Sequence, residues 1–158
     1  MRRFVTLTLA LLFVTAAYSQ SADVITEILD SKKATFGQAC YISAVQQDLI
    51  EDDASFEDAI DVLEDEGQIP GKVNSDDAIP MIDAVYIFSQ MWDIKGGLMF
   101  TLTKGAPRYA FRQFQADGLI SSSVDPSFNL SGSDLLQLYT ACVRKYGDFD
   151  ITAVSMEE

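Results

Sequence analysis

The feature that most constrains this chain is an internal repeat: one pattern occurs twice between Ala59 and Val143, displaced by 51 positions without a gap. Ala59 falls on Ala110, Leu63 on Phe114, Gly67 on Gly118, Ile69 on Ile120 and Val73 on Val124. Further on, Ile79 meets Leu130, Asp83 meets Asp134, Ile87 meets Leu138 and Phe88 meets Tyr139. Apolar positions and turn glycines that hold register while the surface diverges are the mark of a duplicated supersecondary unit.

Each copy reads as helix, connector, helix. In the first, Ser55 caps a helix with the stripe Phe56, Ala59, Ile60 and Leu63, and Gly67 closes it. A connector follows in which Ile69 and Val73 plug the core. Pro80 then sits in the first turn of a helix bearing Ile82, Val85, Tyr86, Ser89 and Trp92. Ile79, Ile87, Phe88 and Met91 make that helix apolar almost all round, which places it in the middle of a bundle. The second copy starts at Pro107, buries Ala110, Phe111 and Phe114, and ends on a helix capped by Ser131 or Ser133 that carries Leu135, Leu138, Tyr139, Cys142 and Tyr146.

Upstream, Val24, Ile25, Ile28 and Leu29 predict a short helix within 22–33, and Thr35 caps another running to about Leu49. The stretch QACYIS in that helix matches DAVYIF at 83–88, as the second half of a degraded third unit would. The expected fold is mainly α: two or two and a half helix-loop-helix units in one compact bundle, with repeat portions at about 35–45, 55–92 and 106–145.

The N-terminus reads as a processing signal. Arg2 and Arg3 precede the apolar run FVTLTLALLFVTAA, and Ala17 and Ser19 offer small side chains for cleavage before Gln20. The expected organisation is a signal peptide at 1–19, a single domain at 20–146 and an acidic tail at 147–158. Export to the periplasm or the cell exterior follows, with no membrane span once the signal is removed. Cleavage takes the balance from 11 basic and 24 acidic residues to 9 and 24, a net charge of −15, which opposes nucleic acid as a partner.

Residues 48–66 hold ten acids and no base, but no calcium-loop pattern with its sharp glycine turn occurs there. They read as the solvated face of an amphipathic helix. Residues 93–112 are the reverse, with Lys95, Lys104, Arg108 and Arg112 against Asp93 alone. The glycine pair Gly96–Gly97 lacks the Gly-Lys-Ser/Thr of a nucleotide loop, and 98–102 is apolar enough to pack as a short strand or hairpin.

Zero histidines and the lack of a G-x-S-x-G motif remove the usual general base and nucleophile, so no enzyme activity, metal or cofactor is expected. A hydrolase working through a carboxylate pair is the least favoured alternative, with Asp83 and Asp134 the acids to watch. The leading expectation is a non-catalytic envelope protein that binds another protein or assembles with itself. The alternative is a module for cell-wall glycan or peptidoglycan. The candidate binding residues are Lys104, Arg108 and Arg112 for anionic groups, and Trp92 and Tyr109 as stacking platforms. Cys40 and Cys142 have apolar neighbours, which leaves two alternatives, a disulfide or two buried free thiols.

The runs AIDVLEDEGQIPG with Val73, and AFRQFQADGLIS with VDPSF, each followed by an apolar helix, resemble the S-layer homology repeat. The resemblance covers about 55–92 and 106–145, with the second helix alone at 35–45. It implies three units in a pseudo-threefold prism that docks exported proteins onto cell-wall polysaccharide. The family's Thr-Arg-Ala-Glu motif is replaced by Pro80-Met81-Ile82-Asp83 and Ser131-Gly132-Ser133-Asp134, and both connectors are shorter. The arginine that supports the family's glycan contact therefore has no counterpart here, and the resemblance carries the shape of the unit alone.

Overall fold

The structure, a computed structural model, describes residues 22–92, 94, 102, 103 and 105–147. The leader at 1–19, Gly96–Gly97 with the apolar stretch to 101, Lys104 and the tail from 148 lie outside the described residues. The protein is mainly helical. A helix over 22–30 (α1) is followed by α2 (Phe36–Gln46), α3 (Phe56–Asp65), α4 (Met81–Met91), α5 (Pro107–Ala116) and α6 (Gly132–Tyr146). The described residues contain no strand, only two isolated bridges, Thr35 to Ala78 and Pro80 to Asn129.

The helix ends keep the 51-residue register: α3 begins and ends at 56 and 65, α5 at 107 and 116, while α4 begins at 81 and α6 at 132. Gly67 and Gly118, which close α3 and α5, have φ of 68° and 76°, a left-handed turn that a side chain would strain. Leu63 and Phe114 are both fully buried, and so are Ile79 and Leu130. The expected Ser55 cap is present as a capping box with Asp58, and Thr35 and Ser131 form the same box with Gln38 and Asp134. Pro80 differs from expectation by one position. It is the N-cap of α4, and having neither hydroxyl nor N–H it makes no side-chain cap.

Three backbone segments close on one another at the centre. Ala34 N–H donates to the Leu130 carbonyl (2.8 Å), Leu130 N–H to Ile79 (3.2 Å) and Ile79 N–H to Ala34 (2.9 Å). All three residues are fully buried, and the ring they form satisfies polar groups that water cannot reach. Around this ring the entrance of each second helix is capped by the next segment. Phe36 and Gly37 N–H bond the carbonyls of Asp77 and Ser75, Met81 and Ile82 those of Phe128 and Pro126, and Gly132 that of Ser31. Orphan helix donors are thereby paired between segments rather than within them.

The first segment therefore takes a full place in the ring, although it is built differently. Aligned on Ala34, Ile79 and Leu130, Val24 and Ile28 of α1 fall at the positions of Ile69 and Val73 in one connector and Ile120 and Val124 in the other. All six residues belong to the core or pack against it. So α1 stands in for a connector, and among the described residues the first segment has no counterpart of α3 or α5. Helix packing follows suit: α3 lies on α2, α5 on α4, and α4 also meets α2 and α6, the central place that its all-round apolar surface predicts.

Candidate functional site

The described candidate residues fall on α4, α5 and the core, and the structure separates them. Arg108 and Arg112 are exposed, one turn apart on α5, and both line a cavity of about 290 Å³ whose floor is Ile82, Phe111, Val124 and Pro126. Tyr109, next in sequence to Arg108, is half-buried and does not line that cavity. Lys104 lies outside the described residues.

Trp92 is also half-buried, at the C-terminal end of α4. Its ring lies 6.0 Å from Tyr139 and 6.3 Å from Tyr146, inside a cluster that Phe88 and Phe114 complete. Rings at these separations attract one another, so the tryptophan joins α4 to α6 instead of offering a free platform beside the arginines. The cluster is tied at its rim: the Tyr139 hydroxyl donates to Gln46 Oε1 and the Tyr146 hydroxyl to Asp117 Oδ2. Burial, followed by the Asp117 bond, raises the Tyr146 pKa, so the phenol remains a donor.

The disulfide alternative is not realised. Cys40 and Cys142 are free and buried, and burial pushes each thiol up to about 12. Thiolate chemistry is suppressed at such sites, because an apolar environment disfavours the charged form. Asp83 and Asp134 both occupy the third position of their helices but differ in state. The Asp134 carboxylate accepts from the Ser131 backbone (3.0 Å) and hydroxyl (2.6 Å), whereas at Asp83 the N-cap is Pro80, which has neither donor, and burial raises the Asp83 pKa. Among the described residues no group of three or more cysteines and acids is arranged to hold a metal ion.

A larger feature escaped the sequence reading. A groove of about 590 Å³ runs along α6 between Leu29 of α1 and the connector residues Leu119, Ile120 and Val124. A second, of about 290 Å³, opens on the other side of α1 between Ile25, Val45 and Tyr139, and Leu136 lines both. Ile25 and Leu29 are 42% and 51% exposed, so α1 buries Ile28 and leaves two large apolar side chains facing outward.

These grooves lie where the other helices are covered. On α2, Gly37 and Tyr41 meet Phe56 of α3, the two rings 5.7 Å apart and edge-on. On α4 the equivalent positions are Ile82 and Tyr86, and on α6 they are Ser133 and Gln137, both lining the larger groove. The signal was present in the repeat register: tyrosine at 41 and 86 gives way to glutamine at 137, and Ser133, Gln137, Thr140 and Arg144 make a polar seam at helical spacing.

No family model matches the chain, nor does any curated protein or solved structure. Among the described residues no helix is long and apolar enough to cross a membrane.

Proposed function

We propose that this chain is an exported, non-catalytic cell-envelope protein that acts as a protein-binding or assembly module, built on an S-layer homology-like arrangement of three units. The observation that carries the reading is the face of α6 that no described helix covers in the way α3 covers α2 and α5 covers α4. Two internal examples, α3 on α2 and α5 on α4, define what fits such a face: an amphipathic helix of about ten residues with a stripe like Ala110, Phe111 and Phe114. Leu29, Leu136 and Ala141 supply apolar contact there, while Ser133, Gln137 and Thr140 keep the vacant face soluble. The closed ring of Ala34, Ile79 and Leu130 supports the three-unit reading, because each segment supplies one donor and one acceptor to it.

A photo-crosslinking residue at Gln137, in mature protein mixed with envelope extract, tests the reading. The expected outcome is a protein adduct that Thr140→Arg abolishes by filling the groove. Absence of any adduct, together with retention on purified cell-wall material, would overturn it in favour of the glycan alternative. The packing of Trp92 against Tyr139 and Tyr146 weighs against that alternative, since a ring used inside the fold offers less face to a sugar.

A further inference from the structure

The repeat register brings out an inversion of charge that neither copy displays alone. Glu57 and Asp61 on α3 occupy the positions of Arg108 and Arg112 on α5. The two helices share their bounds, and each packs on the second helix of the segment before it, so the two faces hold equivalent places around the ring. All four side chains are exposed. Because α3 packs on α2 and α5 on α4, the two faces do not neutralise each other inside the fold.

The surroundings of the two pairs are also complementary. Arg108 and Arg112 flank the cavity floored by Ile82, Phe111, Val124 and Pro126. Beside Glu57 and Asp61 the α3 surface continues with Glu64 and Asp65, and the Glu57 carboxylate is held by the Ser75 hydroxyl at 2.7 Å. That bond lowers the Glu57 pKa and keeps the side chain charged and oriented. The net negative charge makes most encounters between acidic surfaces of two copies repulsive, which favours approach through a basic face.

We infer that the Arg108–Arg112 face of one copy docks the Glu57–Asp61 face of a second copy, an association that rests on the assembly reading above and names its partner. Two arginines one turn apart match two carboxylates one turn apart when the helices lie side by side, and Glu64 and Asp65 extend the acidic side of the joint. The joint is heterologous, so every copy presents both halves of it.

Complementary charge reversal tests the pairing. One variant carries Arg108→Glu and Arg112→Glu, the other Glu57→Arg and Asp61→Arg, and circular dichroism with unchanged melting confirms that both fold. By sedimentation at low ionic strength, where screening is weakest, the native chain self-associates, and each variant alone associates at least about tenfold more weakly. Mixed in equal amounts, the two variants recover association, because each supplies the face that the other lacks. Native protein that stays monomeric, a variant that associates as well as the native chain, or a mixture as dispersed as its parts overturns the inference. Leu136 and Gln137 lie on another helix, so crosslinking at α6 reports independently and the two readings fail separately.

Discussion

Helices α4 and α6 begin at the same point of the repeat and both enter the central ring, yet among the described residues one is enclosed and the other is open along one face. In α4, Ala84, Val85, Ile87 and Phe88 are fully buried, and α2, α5 and α6 surround the helix. On α6 the equivalents of Phe88 and Tyr86 are Tyr139 and Gln137, one with its hydroxyl reaching Gln46 and the other lining a groove. The backbone plan is set by the ring and the helix ends, while the order of units decides which face receives a cover. Where no described residue covers α6, Ser133, Gln137 and Tyr139 stand at the register positions of Ile82, Tyr86 and Phe88.

The largest difference should appear on truncating the paired aromatics. Phe88→Ala empties a fully buried site and should cost about 4 kcal/mol, whereas Tyr139→Ala, at a half-buried site, should cost about half as much. Chemical denaturation of both variants checks this, and equal losses would mean that α6 is as enclosed as α4. The next contrast lies at the first helical position, where α2 has Phe36, α4 has Met81 and α6 has Gly132. A Cβ on Gly132 would come within 1.6 Å of the Ile28 carbonyl, so Gly132→Ala should destabilise by about 3 kcal/mol as α1 is forced away. Met81→Ala shortens a buried side chain without forcing α1 aside, and hydrogen exchange at positions 132 and 34 should reveal loosening in the first variant alone.

A smaller effect separates the caps. Ser131→Ala removes the capping box of α6 and should cost about 1 kcal/mol in denaturant titration, while Pro80→Ala has no side-chain cap to remove. The smallest concerns Asp83. Burial raises its folded pKa above the unfolded value, so the native state holds the proton more tightly and stability falls as pH rises from the ordinary carboxylate range through the folded pKa. Asp83→Asn should therefore melt slightly higher than the native chain at neutral pH, and the gap should close as pH is lowered toward 4. Asp58, whose pKa is lowered by its bonds to Ser55, has the opposite sign and should lose its contribution as pH falls.

Much of this architecture is legible in the sequence because helix ends are written in side chains. Thr35, Ser55 and Ser131 announce starts, Gly67 and Gly118 announce stops, and the stripe at 59, 60 and 63 reappears at 110, 111 and 114. The ring is not legible, since it is made of the main-chain groups of Ala34, Ile79 and Leu130, whose apolar side chains announce burial but not a hydrogen-bond partner. Val24 and Ile28 predict a helix, and the structure has one, but periodicity alone does not tell that this helix stands where the other units have a connector. Of the site, Arg108 and Arg112 were visible as a pair. Their opposition to Glu57 and Asp61 is readable from the 51-residue register, and the structure adds that all four side chains are exposed on helices packed in equivalent ways.

The loop of hydrogen bonds through Ala34, Ile79 and Leu130 also bears on how this molecule comes into being. The ring cannot be satisfied locally, because the amide of Ala34 finds its acceptor only at Leu130, in the last of the three segments. Early portions emerging from a ribosome must wait, unsealed, until that later carbonyl arrives, and a molecule cut short before it would have a keystone missing rather than a shorter arch.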